Sequence, residues 1–201
     1  NYEKTLEVFH VNLEKEDSFK MVSPKINSIF FKKIDYIFYC AGTNLIGKVQ
    51  DIKFNQLNKI FKINCFGMIE TFKTFLPLLQ KNINSKFIYI SSGSASYGTY
   101  SQGVYSASKV AVERIIESLR FETNVSFIII NPGVMNTKFI EKSERINNVR
   151  YLGEGKKGIS TSVVSKAILK NINKNNFFYN FSLITFYIKL INLLLPKTFY
   201  S

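Results

Sequence analysis

Apolar positions fall along this chain in two rhythms. Residues 34–40, 86–90 and 125–130 are short, nearly continuous apolar runs, and residues 6–13 are rich in β-formers. Unbroken runs of that length suit parallel strands buried on both faces, because both rows of side chains meet a hydrophobic layer. Elsewhere apolar residues return every three or four positions, as one face of a helix does. The first such stretch spans 14–33, with Phe19, Val22, Ile26, Ile29 and Phe30 on the face and Pro24 as an interruption or kink. One long helix is expected from Ile52 to about Lys81, with Pro77 near its end, and another from about Gly103 to Glu122. A last helix is expected from Thr161 to Asn173, capped by Ser160 or Thr161. Strands alternating with helices predict an α/β fold on a parallel sheet.

Two segments break the alternation. Residues 138–160 are polar, charged and punctuated by glycine, the composition of a mobile substrate lid. Gly153, Gly155, Lys156, Lys157 and Gly158 superficially resemble a phosphate loop, but they lack the G-x-x-x-x-G-K-[ST] spacing and follow no strand, so that reading is discarded. Residues 177–201 form an apolar tail, broken by Asn180, Ser182, Thr185, Lys189 and Asn192, with Pro196 closing its main run. It is borderline for a membrane span, which takes roughly 20 apolar residues. An interfacial helix, a cover over the substrate pocket or an oligomer contact fits equally. The expected division is a core over 1–176 and a tail over 177–201.

Composition narrows the classes. At 201 residues and 46% hydrophobic, the chain is long and apolar enough for one well-cored domain and is not a disordered one. The net charge of +13 comes from lysines spread along the chain beside abundant Asn, Ile and Phe. We read it as a compositional bias; with no basic, aromatic-interleaved patch, nucleic acid is not an expected partner. Cys40 and Cys65 sit in segments expected to be buried and have no CxxC spacing, so they read as reduced core thiols of a cytosolic protein without disulfide or metal site. The one histidine, His10, reads as a packed strand residue, which leaves zinc chemistry and a Ser-His-Asp triad without their parts.

The chemistry concentrates after the run at 86–90. Ser91, Ser92, Gly93 and Ser94 follow that strand, and Tyr105 and Lys109 lie four apart at the start of the next helix, on one face. An ammonium beside a phenol favours the phenolate, lowering the tyrosine pKa toward neutrality. Ser92, at the carboxyl end of a strand in an open α/β sheet, stands where such sheets place ligands.

Ser92, twelve intervening residues and Tyr105-x-x-x-Lys109 resemble the active-site signature of the short-chain dehydrogenase/reductase family, NAD(P)-dependent oxidoreductases on a Rossmann fold. Three more segments resemble that family: Tyr39-Cys40-Ala41-Gly42 after a strand, Asn64 within Phe61–Gly67, and Pro132-Gly133-Val134-Met135-Asn136-Thr137 after the run at 125–130. The resemblance implies a doubly wound, three-layer sheet and hydride transfer between a nicotinamide and a carbonyl or alcohol carbon. It implies Tyr105 as general acid/base, Ser92 orienting the substrate oxygen, and Lys109 lowering the tyrosine pKa and holding the ribose. Asn64 would keep a relay water through its main chain. Ala41 and Gly42 would pass the ribose, Pro132, Gly133, Val134 and Thr137 would meet the carboxamide or diphosphate, and Asn12 with Leu13 would meet the adenine. The helices over 52–81 and 103–122 are those through which family members form homo-oligomers. The apolar, Pro-containing end resembles a subset of the family and hints at a lipophilic substrate or a membrane surface.

The family's opening T-G-x-x-x-G-x-G turn, which sets backbone N–H groups against the cofactor pyrophosphate, has no counterpart in residues 1–42. The expectation is therefore a Rossmann core lacking its first two strands, cut from a longer enzyme. As a rival, the chain is a non-catalytic scaffold of the same fold, or a membrane-peripheral protein, without cofactor binding. Whether NAD or NADP is used lies in the absent segments.

Overall fold

The computed structural model describes residues 8–15, 18–29, 33–151, 154–155, 157–174, 177–181 and 187. In chain order these form α1 (Ser18–Ile29), β1 (Tyr36–Tyr39), β2 (Leu45–Ile46), α2 (Phe54–Phe61), α3 (Gly67–Leu79), β3 (Lys86–Ile90), α4 (Gly103–Glu122), β4 (Ser126–Asn131), β5 (Glu144–Arg145), α5 (Thr161–Asn171) and β6 (Phe178–Asn180). The main sheet is parallel in the order β1-β3-β4-β6, and β2 pairs with β5 in a two-stranded ladder.

Period-two alternation assigns the layers. Phe87 and Tyr89 of β3, register partners of Phe127 and Ile129 of β4, point into one cluster with Met68, Phe72 and Leu79 of α3 and Val112 and Ile116 of α4. Ile88, Ile128 and Ile130 point the other way, against Ile168 and Ile172 at α5. Phe72 packs between Phe87 and Phe127 at centroid distances of 5.6 and 5.3 Å. This is a three-layer, Rossmann-like α/β arrangement, and it turns the carboxyl ends of β1, β3 and β4 to the same edge.

Several expectations are corrected. Residues 8–13 form no strand, because no described strand runs beside them to take up their hydrogen bonds; Val8 is 80% exposed and His10 is exposed rather than packed. Residues 6 and 7 of that expectation lie outside the described residues. Among the described residues β1 is an edge of the sheet, the open edge that a core lacking its first two strands implies for 34–40, and it is not buried on both faces: Tyr36 and Phe38 are 41% and 42% exposed. Cys40, just beyond it, is exposed, whereas Cys65 is buried as expected. The single helix expected over 52–81 is α2 and α3 joined by a π turn, Lys62–Phe66, whose wider turn re-phases the faces on either side.

The stretch expected as a mobile lid is pinned. β5 pairs with β2, Ile146 N–H donates to Ile46 O (2.9 Å), and Met135 bridges to Ile159. Asn44 Nδ2 donates to Ser143 Oγ (3.0 Å) and Gln102 Nε2 to Asn44 Oδ1 (3.2 Å), which ties it further. The boundary after 176 also moves: Phe178–Asn180 is not the start of a tail but a sheet strand, paired in parallel with Ile129–Asn131. Residues 182–186 and 188–201 lie outside the described residues.

Candidate active site

The cluster is assembled from the carboxyl end of β3 and one face of α4. Ser91 N–H donates to Ile130 O (2.7 Å), adding one rung of pairing before the chain leaves the sheet. Ser92 then caps a 3-10 turn, Gly93–Ala95; its Oγ accepts from Ser94 N–H (3.3 Å) and lies 2.8 Å from Ser94 Oγ. α4 carries Tyr105 in its first turn, close enough to the Ser92 side chain for that hydroxyl to favour the phenolate, with its ring 6.0 Å from that of Phe139. One turn on, Lys109 Nζ donates to Ile90 O (3.1 Å) and stands 5.9 Å from the Tyr105 ring centroid and 5.0 Å from that of Tyr89. The helical spacing thus does what it promised, and both side chains are buried.

Burial sets the titration. It pushes the Tyr105 phenol up to about 12; the Ser92 hydrogen bond works the other way, and Tyr151 adds to the rise. Burial drives Lys109 down to about 8, opposed by Glu113 and Cys40. The expectation that Lys109 would bring Tyr105 toward neutrality is therefore corrected: the ammonium is aimed at the Ile90 carbonyl, and desolvation of the phenolate dominates.

Asn64, fully buried in the π turn, works through its side chain. Oδ1 accepts from Thr43 N–H (2.7 Å), and Nδ2 donates to Thr43 O (2.9 Å) and Ser108 Oγ (2.9 Å). It thereby staples the loop after β1 to α4, and Ser108 Oγ in turn donates a hydrogen bond to the main-chain carbonyl oxygen of Tyr105 (2.7 Å). A Cβ at Gly42 would stand 3.4 Å from Asn64 Oδ1 and 3.5 Å from Lys109 Nζ, so Gly42 belongs to the cluster. Ala41 beside it is exposed.

Pro132, Gly133, Val134 and Thr137 leave the end of β4 on the same edge. Gly133 has φ 70° and donates its N–H to Asn131 Oδ1 (3.2 Å). Val134 and Thr137 are exposed and border a cavity of about 500 Å³ with Met135, Asn136, Ile140 and Arg145, a lining that does not include Ser92, Tyr105 or Lys109. Asn12 and Leu13 engage other partners. Asn12 Oδ1 accepts from Glu14 N–H (2.9 Å) in the turn leading to α1, and Leu13 lies where a Cβ at Gly67 would meet it at 3.2 Å.

Two residues of the cluster escaped sequence reasoning. Glu113, 3% exposed, accepts from Ser91 Oγ (2.5 Å), and its place four residues after Lys109 on the same helix face was a legible signal. Tyr89 looked like any strand aromatic, yet it lies under the Lys109 ammonium.

A parallel α/β sheet with serine, tyrosine and lysine gathered at its carboxyl edge defines a Rossmann-like α/β protein. The short chain dehydrogenase family model matches residues 1–147, and the chain belongs to that family. Retinol dehydrogenase 8 of Bos taurus is 26% identical over 154 residues, covering 75% of this chain and 48% of its own length. The probable short-chain type dehydrogenase/reductase VdlC of Helicobacter pylori is 31% identical over 142 residues, covering 67% of this chain and 52% of its own. The 3-ketodihydrosphingosine reductase of Mus musculus is 23% identical over 149 residues, covering 72% and 45%. The chain spans about half the length of these relatives. Among solved structures, a short-chain dehydrogenase from Streptomyces avermitilis superposes with TM-score 0.79 at 17% identity, over 96% of this chain and 76% of its own. One from Burkholderia phymatum in complex with NAD gives 0.77 at 15% identity, over 94% and 76%. At such identities the likeness is one of fold. Among the described residues no helix is long and apolar enough to cross a membrane.

Proposed function

We propose that this chain is the catalytic part of an NAD(P)-dependent oxidoreductase that interconverts a carbonyl and an alcohol, with Tyr105 as the proton-transferring group. The observation that carries the reading is the convergence of Ser92, Tyr105 and Lys109 at the carboxyl end of β3. The Ser92 hydroxyl lies close enough to Tyr105 to favour its phenolate, so one substrate oxygen could receive both hydroxyls. In reduction Tyr105 gives that oxygen its proton, and in oxidation it takes the proton back. Lys109 stands one helical turn on from Tyr105 with its ammonium anchored on the Ile90 carbonyl, and Asn64 holds the loop that faces them.

The residues fit the nicotinamide end of a dinucleotide. Gly42 leaves room beside Lys109, Gly133 makes a left-handed turn at the end of β4, and buried Asn131 Nδ2 has no partner among the described residues. Tyr105 and Lys109 would hold the ribose, with Ala41 and Gly42 beside it. Pro132, Gly133, Val134 and Thr137 would meet the carboxamide, and Asn12 with Leu13 the adenine. The cofactor would carry the hydride. The names of the relatives, a retinol dehydrogenase and a 3-ketodihydrosphingosine reductase, support an apolar alcohol or ketone as substrate. Homo-oligomers through α3 and α4, and contact of residues 177–201 with a membrane surface, belong to the same proposal; light scattering and liposome co-sedimentation read them.

The deciding experiment compares Tyr105→Phe with wild type in the full-length gene product, with NADH and NADPH and a panel of long-chain ketones. Turnover should fall by at least ~10²-fold while nucleotide binding by calorimetry changes little. Retained turnover would remove Tyr105 from the chemistry. Absence of both binding and turnover in the wild type would favour the scaffold reading.

A further inference from the structure

Below the serine and tyrosine lies a second, deeper pair of charged groups. Lys109 and Glu113 are 4% and 3% exposed and sit one turn apart on the same face of α4. They reach adjacent residues at the end of β3: Lys109 Nζ donates to Ile90 O (3.1 Å), and Glu113 Oε1 accepts from Ser91 Oγ (2.5 Å). Ser91 is itself held by its N–H on Ile130 O. An acid and a base are thus anchored to adjacent residues of one strand, in a place that excludes water.

A buried ammonium with only a carbonyl for company would shed its proton, because low-dielectric surroundings disfavour the charged form. A buried carboxylate needs donors and a counter-ion for the same reason. From this geometry we infer that Glu113, held by Ser91, is the counter-ion that keeps Lys109 an ammonium, and is a positioning residue for the proposed Tyr105 chemistry. The inference rests on the proposed function only in its last clause.

The other groups facing Lys109 do not supply that charge. Tyr105 on its own helix and Tyr89 on β3 are phenols that burial pushes up, so they are neutral at physiological pH. Cys40, beyond β1, is exposed, yet the protein around its thiol desolvates it enough to push its pKa up, with Lys109 pulling against the rise. Glu113 is the leading influence that raises the Lys109 pKa against burial.

The test reads Lys109 directly and needs neither cofactor nor substrate. Competitive acetylation of the 201-residue chain with acetic anhydride, followed by mass spectrometry across pH 5 to 11, gives the protonation midpoint of Lys109. In Glu113→Gln, which keeps an acceptor for Ser91 Oγ, the midpoint should drop by about one unit or more, and labelling at pH 7 should rise roughly fivefold or more. Glu113→Asp should restore most of the wild-type midpoint, which a purely structural role would not do. An unchanged midpoint in a folded Glu113→Gln overturns the inference. If circular dichroism shows that variant unfolded, the same reading is taken on Ser91→Ala, where a drop supports the assignment and an unchanged midpoint rejects it. Loss of turnover in Tyr105→Phe bears on the reaction alone, so the two claims fail separately.

Discussion

Lys109 shows how far a single residue's behaviour departs from what its neighbours in the chain imply. The i, i+4 spacing with Tyr105 is local and was readable from the sequence. The direction in which either group titrates was not, because desolvation depends on what packs over it. With the Lys109 pKa lowered from 10.5 to about 8, the unfolded chain carries a proton over that window that the folded chain has released. Stability should therefore rise with pH between about 8 and 10.5, and the penalty of the buried charge is fully present below 8. Measured by urea unfolding, wild type should gain up to ~3 kcal/mol on Lys109→Met between pH 7 and 10.5. A gap that stays constant with pH would show that Lys109 is not desolvated in the folded chain. Asn64 teaches the same lesson. A buried amide was expected to bond something, but only the folded chain brings Thr43 and Ser108 to it.

At the scale of elements, α4 follows its sequence pattern closely, running from Gly103 to Glu122 as the periodicity predicts. The α2–α3 stretch does not, since a π turn preserves an apparently helical pattern while shifting its phase. The segment over 138–160 was read as mobile from its polarity. Polarity reports exposure, and pairing with β2 and Met135 is set by residues outside the segment. Gly158 is the tight point of that strap: a Cβ there would stand 2.6 Å from Met135 C and 2.8 Å from Asn136 N, both backbone atoms with little room to move. Gly158→Ala should part the strap from Val134–Asn136, cost roughly 1–3 kcal/mol, and speed hydrogen exchange at Asn136 and Ile159. Unaltered protection at those two amides would show that the pairing tolerates the methyl.

For the molecule as a whole, the decisive surprise is β6. A chain ending at Asn176 would leave Ile129–Asn131 unpaired on one side and strip Tyr179 and Phe181 from the cluster around Ile128, Ile130 and Ile172. Against a chain ending at Phe181, we expect a loss on the order of 3 kcal/mol, read from urea midpoints. Equal midpoints would return the boundary to 176. Its composition suggested a tail because a three-residue strand in an apolar stretch has no periodicity long enough to read.

What the sequence determined by itself was whatever depends on spacing along the chain: the α/β class, the runs that become β3 and β4, the extent of α4, and the shared helix face of Tyr105 and Lys109. It also carried the family, through Ser92, Tyr105 and Lys109 at the family's spacing. Only the tertiary structure decided which apolar stretch joins the sheet, how the lid segment is tied, and that Glu113 and Ser91 lie beneath the site. These depend on which distant segments meet and how much water they exclude. Burial and pairing are properties of that meeting, whereas periodicity belongs to the chain alone.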